Sequence, residues 1–163
     1  MLSKAYEWGN LWDSKFSIHN SNIVHHRLRS IKLTQSISNL GLINLIIVGS
    51  CKYLGIIIDE HLDYSECTNM LSQAGTRALG ALTHKHKQVG LSYHTFTKLY
   101  NACVAPVILY SIAIWGMKEY TKINTVQIKA MKVFLSVNTF TSNACIYGDM
   151  GWTEINVTRK LDY

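Results

Sequence analysis

The chain has 163 residues, of which 48% are hydrophobic, ten are glycine and one is proline. This length and composition are typical of one packed globular domain and exclude a low-complexity linker. The formal net charge of +6, with 16 Lys and Arg against 10 Asp and Glu, favours a polyanion over a cation as the first partner class to consider.

The charges are segregated along the chain. Residues 14–58, 67–118 and 120–148 contain basic side chains but no carboxylate, and the acids gather at Asp59, Glu60, Asp63 and Glu66 instead. Such segregation is typical of a surface that faces phosphates, although an ordinary solvated surface can have the same pattern. The sequence alone leaves both readings open.

The first third of the chain reads as a small antiparallel sheet with one helix. The spacing of Trp8 and Trp12 predicts a helix over residues 2–14. Alternation and turn residues predict five strands, over residues 15–19, 23–27, 35–38, 45–48 and 52–58, with a hairpin turn at 39–41.

Beyond Asp59 the hydrophobic period becomes helical. Predicted helices cover residues 64–87, 92–104 with Ser92 as the N-cap, a continuation past Pro106 to 114, and 123–135. A short helix capped by Thr141 or Ser142 and ending at Tyr147 follows, and another begins after Thr153. The predicted fold class is therefore α+β, mainly α, with a first domain over residues 1–61 and a helical domain over residues 62–163.

Residues 99–117 carry no charge and are nearly long enough to span a bilayer. Asn101, Pro106 and Ser111 within them favour a buried helix over a membrane span. The four cysteines are far apart and form no CxxC pair, which is typical of reduced thiols in an intracellular protein, nuclear or cytoplasmic. Cys67 with His84 and His86 matches no metal-ligand spacing.

Several segments, taken in order, resemble the C-terminal part of the reverse transcriptase of non-LTR (LINE-type, jockey-like) retrotransposons. They are residues 52–59 (KYLGIIID), 62–63 (LD), 91–100 (LSYHTFTKLY), 104–110 (VAPVILY), 114–116 (IWG) and 147–152 (YGDMGW). The resemblance runs from about Trp8 to Trp152. It implies the last strands of a polymerase palm in the first domain and a thumb-like helical bundle in the second.

A polymerase of this family holds two Mg²⁺ ions on aspartates, including an adjacent pair in an aromatic-Ala-Asp-Asp turn. No two aspartates are adjacent in this chain. The resemblance places the catalytic turn N-terminal to Met1, together with the fingers and the rest of the palm. A Lys-Thr pair that the family carries before its Val-His-aromatic-Arg strand is also missing near Asn22. We therefore expect no bound cofactor, no catalytic residue and no activity from this chain alone.

The resemblance also implies contacts with an RNA or DNA primer–template. Its palm strand places Lys52 near the primer terminus, and its thumb helices grip the nucleic-acid backbone without reading bases. The helical candidates are Arg77, Lys85, Lys87, Lys98, Lys129 and Lys132. Each one alone is more often a solvated surface charge. Two alternatives stay open: a helical protein-interaction module, and a single-span membrane protein built on residues 99–117.

Tyr93, Phe96 and Tyr100 recur at helical spacing. This spacing favours packing in a core over stacking on bases. In the first domain, an incomplete sheet would expose an edge and an apolar face, so we expect the isolated chain to be poorly soluble.

Overall fold

The computed structural model of the chain describes residues 2–17, 21–32, 38–40 and 43–155. The chain divides into two compact units, Met1–Tyr64 and Ser65–Tyr163. The described strands all lie in the first unit, and the second unit is helical. The predicted fold class, α+β and mainly α with a small sheet, is confirmed.

The first unit contains one helix and five short strands: α1 (Leu2–Leu11), β1 (Asn22–Ile23), β2 (Ser38–Leu40), β3 (Ile43–Ile47), β4 (Ser50–Tyr53) and β5 (Ile56–Asp59). β2 pairs antiparallel with β3, and β1 pairs parallel with the other edge of β3. The strand predicted at 15–19 is absent from residues 15–17, and the remaining part of that prediction lies outside the described residues. The predicted turn at 39–41 falls partly outside them as well.

The prediction of one continuous strand over residues 52–58 was wrong. β4 and β5 form an antiparallel hairpin in which Tyr53 is paired with Ile56. The two residues between them, Leu54 and Gly55, have φ angles of 46° and 83°. Two positive φ values in a two-residue loop identify a type I′ turn. Gly adopts this conformation freely, but Leu does so rarely. The sequence Leu54-Gly55 therefore did not indicate a hairpin turn.

The second unit is built from α2 (Ser65–Val89), α3 (Tyr93–Leu99), a π-helical turn (Tyr100–Val104), α4 (Ala105–Ile108), α5 (Ile112–Trp115), α6 (Thr121–Leu135) and α7 (Asn143–Met150). The predicted N-cap is confirmed, since the Ser92 hydroxyl accepts the Thr95 N–H at 3.4 Å. The π-helical turn ends two residues before Pro106, which has no N–H to donate and crowds the preceding turn of an α-helix.

The uncharged segment over residues 99–117 is not one helix. The α-helical path ends at Leu109, and Ser111 takes a left-handed conformation with φ 53° before α5 begins. Within the described part of the chain, no helix is both long and apolar enough to cross a membrane.

The core of the second unit lies where α2 packs against α6 and α4. Gly75 of α2 permits this approach, because a Cβ atom there would overlap Cγ2 of Ile108 and lie 3.6 Å from Cγ1 of Val126. Phe96 and Tyr100 are buried as predicted, at 0% and 3% exposure. Tyr93 is only half-buried, and its hydroxyl donates to the carbonyl oxygen of Met150.

The buried amide of Gln127 anchors the segment after α7. Its Nε2 donates to the carbonyl oxygen of Thr153 at 2.9 Å, and its Oε1 accepts from the Tyr147 hydroxyl and the Ile155 N–H. Trp152 packs against Tyr100 with ring centroids 4.4 Å apart. The segment at residues 147–152 therefore has a structural role in the second unit.

Candidate nucleic-acid interface

Three of the predicted cationic residues come together in the second unit. Lys87, at the end of α2, and Lys129 and Lys132, on α6, line one groove with a volume of about 500 Å³. The other lining residues are Thr125, Ile128, Val133, Ser136, Val137 and Thr139. We call this the lysine groove.

The amphipathic character of α6 fixes the direction of its lysines. Buried side chains on one face of this helix pack into the core: Ile123, Val126, Ala130 and Met131. Each residue rotates by about 100° around the helix axis. One side of the helix therefore carries Lys122, Thr125, Lys129 and Lys132. Burial of the apolar face therefore forces these polar residues into a single stripe.

Sequence reasoning missed Lys122 as a member of this stripe. Lys122 and Lys129 line a smaller pocket beside the lysine groove, together with Ser72, Thr76, Thr125 and Val126. The ammonium of Lys122 donates to Oδ1 of Asn69 on α2 at 3.0 Å. Its seven-residue spacing from Lys129 was the signal that could have identified it.

The far end of the lysine groove is shaped by the C-terminal cap of α6. Ser136 has φ 53°, and its N–H and that of Val137 bond back to the carbonyls of Val133 and Lys132. This is the Schellman arrangement, with serine where glycine is usual. The chain then turns so that the Lys132 ammonium donates to the carbonyl oxygen of Thr139. The loop and the helix are thereby held together around the groove.

The lysine groove has a positive electrostatic character. None of the described residues that line it is a carboxylate, and within the described ranges none of its three ammonium groups forms an ion pair. The hydroxyls of Thr125 and Thr139 already donate to the carbonyl oxygen of Thr121 and to Oδ1 of Asn138, so the ammonium groups are the main donors of the groove. Ammonium donors in a cleft without carboxylates suit an anionic ligand with several phosphate groups.

The remaining predicted cationic residues do not line this groove. Arg77, Lys85 and Lys98 are exposed elsewhere on the second unit. Lys85 is two residues from Lys87 and so points about 200° away around α2. Lys52 belongs to the first unit, where it is exposed on β4 opposite Ile57.

The acidic cluster stabilises a turn and its neighbouring strand. Oδ1 of Asp59 accepts the N–H groups of His61 and Asp63, at 3.0 and 2.7 Å. Glu60 pairs with Arg27 at 3.0 Å, and Asp63 with Arg29 at 3.3 Å. Asp59, Glu60 and Asp63 thus have hydrogen-bonding and ion-pairing roles in the first unit.

His84 and His86 have separate surroundings. The His86 ring packs against Phe96 and Phe134, with centroids 5.2 and 5.4 Å apart, whereas the exposed His84 contacts Gln88. Among the described residues, no three His, Cys, Asp or Glu side chains lie close enough together to hold a metal ion. The histidines therefore contribute to packing and surface contacts.

The described surface that best suits a polyanion is the lysine groove, which is lined by both cationic and apolar side chains. No family model, curated protein or solved structure matches this chain.

Proposed function

We propose that the helical unit binds the sugar-phosphate backbone of nucleic acid in the lysine groove, and that it does so as part of a non-LTR retrotransposon reverse transcriptase. The single observation that carries the binding proposal is the convergence of Lys87, Lys129 and Lys132 on one cleft lined by no described carboxylate. The motifs between residues 52 and 152 supply the polymerase context.

Binding in this groove is driven by charge and is independent of base sequence. Each lysine that neutralises a phosphate releases a condensed counterion, so affinity falls as salt concentration rises. The groove ammonium groups can hydrogen-bond phosphate oxygens, contacts that position a strand but do not read its bases. A polymerase requires this kind of contact with its primer–template, because it must accept templates of every base sequence.

We assign no catalytic residue to this chain. Asp59 and Asp63 are engaged in the turn after β5, and no two aspartates are adjacent in the sequence. In the complete polymerase that the chain resembles, the aspartates of the catalytic turn would hold the Mg²⁺ ions. The role proposed for this chain is to position the nucleic acid.

A charge-matched pair of triple variants tests the proposal. K87Q/K129Q/K132Q removes the groove lysines, while R77Q/K85Q/K98Q removes three exposed cations outside the groove, so both lower the formal net charge from +6 to +3. Binding to a fluorescent RNA–DNA hybrid with a single-stranded template overhang is measured by anisotropy over a salt series. For the groove variant, we expect the slope of log affinity against log salt to become shallower by about two to three units, since each phosphate contact contributes about 0.7 to 0.9.

The control variant should keep most of the wild-type slope. Equal losses in the two variants would show that net charge, and not the groove, governs binding. If wild-type protein binds no nucleic acid and associates with a protein in a salt-insensitive way, the chain is a helical interaction module and the proposal fails.

A further inference from the structure

An exposed aromatic residue directly follows a lining residue of the lysine groove in the sequence. Phe140 is 94% exposed and follows Thr139, a lining residue of the groove. The Lys132 ammonium donates to the carbonyl of Thr139, the peptide group that joins Thr139 to Phe140. The aromatic ring is therefore carried by the residue that follows a backbone contact of a groove lysine.

The loop that carries Phe140 is held by its own hydrogen bonds. Oδ1 of Asn138 accepts the Phe140 N–H at 3.2 Å, and the carbonyl of Asn138 accepts the Thr141 N–H at 3.1 Å. An asparagine side chain bonded to the N–H two residues later forms an Asx turn. The exposed ring thus sits on an organised turn.

The lining of the lysine groove suits exposed bases better than a closed duplex. Most of its surface is apolar, its lining includes Ile128, Val133 and Val137, and the lysines add charge. A duplex presents phosphates outward and hides its base faces, so an apolar surface gains little from it. A single strand presents both phosphates and unstacked bases, which is the ligand that combined cationic and aromatic surfaces recognise.

We infer that the lysine groove takes a single-stranded segment of RNA or DNA, with one base stacked on Phe140. In a primer–template this segment would be unpaired template. The inference rests on the proposed function, since it names the ligand of the same groove. It adds a contact that does not depend on charge.

The experiment compares F140A, F140L and F140W with the wild-type full-length chain. The probes are a fluorescent single-stranded oligouridylate, an abasic strand of the same length, and a blunt duplex, measured by anisotropy over a salt series. We expect F140A and F140L to weaken oligouridylate binding by about tenfold and F140W to retain it, because stacking requires a π-face. Binding of the abasic strand and the salt slope should be unchanged.

The outcomes separate the two proposals. Equal losses for the oligouridylate and the abasic strand, or no loss in F140A, would overturn the stacking inference while leaving the lysine groove intact. Tighter binding of the blunt duplex than of the oligouridylate would overturn it as well. So would tighter binding of an acidic amphipathic peptide, if that binding needs the groove lysines. Equal salt slopes for K87Q/K129Q/K132Q and R77Q/K85Q/K98Q would overturn the proposed function itself.

Discussion

Two tyrosines in the second unit bury their hydroxyl groups differently. Tyr100 is 3% exposed, and its hydroxyl has no hydrogen-bond partner among the described residues, whereas the Tyr147 hydroxyl donates to Oε1 of Gln127 at 3.1 Å. Burial, and then the nearby Tyr147, raises the pKa of Tyr100 well above its usual value. Burial, and then the charge of Glu154, raises the pKa of Tyr147 to about 12. Both phenols therefore stay neutral at physiological pH.

The substitutions Y100F and Y147F should change stability in opposite directions. Removing the unpartnered hydroxyl of Tyr100 relieves a desolvation penalty, so we expect the free energy of unfolding to rise by about 1 kcal/mol. Removing the Tyr147 hydroxyl breaks a hydrogen bond and should lower it by about 1 kcal/mol. Urea unfolding followed by circular dichroism gives both values. A Y100F protein less stable than Y147F would show that the Tyr100 hydroxyl does find a partner.

At the scale of elements, the packing of α2 depends on the size of one residue. Gly75 is buried where α4 and α6 approach, and a methyl group there would overlap Ile108. Gly80 lies on the same helix but is exposed, and a Cβ atom there would meet nothing within 4 Å. The two glycines share a helix and differ in their surroundings, which makes them a matched pair.

We expect G75A to lower the free energy of unfolding by about 1 to 3 kcal/mol, because overpacking outweighs the better helix propensity of alanine. G80A should raise it by up to about 1 kcal/mol through propensity alone. Thermal and urea unfolding of the two variants against wild type provides the test. Stabilisation by both substitutions would mean that α2 and α4 separate readily.

The elements that sequence reasoning predicted well are those with a strong local signal. The apolar periods predicted α2 and α6 nearly at their observed bounds, and Ser92 is the N-cap. The hairpin turn at Leu54 was missed because leucine seldom adopts a positive φ, so nothing local marked it. The lysine groove also escaped prediction. Its members lie on two helices and a loop, and the period of one helix does not say which other helix it packs against.

At the scale of the whole molecule, most of the exposed large apolar side chains among the described residues lie in the first unit. Large apolar side chains are exposed in the first unit: Trp8, Leu11, Trp12, Leu28, Ile31, Ile46, Tyr53 and Leu54. Its described strands have two to five residues each and leave unpaired edges. Such surfaces are typical of regions that other chains or segments cover.

We therefore expect the isolated chain to self-associate and to bind a hydrophobic dye. The variant L11Q/W12Q/L28Q should reduce both properties without lowering helix content. Light scattering and dye fluorescence report the change. The control M117Q removes one exposed apolar side chain from the second unit and should have little effect. A monomeric wild-type chain that binds no dye would contradict this expectation.

The π-helical turn at Tyr100–Val104 has a consequence for comparing this chain with others. In this turn the Ala105 N–H bonds to the carbonyl of Tyr100, five residues back and one further than in an α-helix. Deleting one residue there would restore the ordinary spacing and keep the helical path continuous. A one-residue gap at this point in an alignment with a relative would therefore indicate a change in helical winding, with both flanking segments still equivalent.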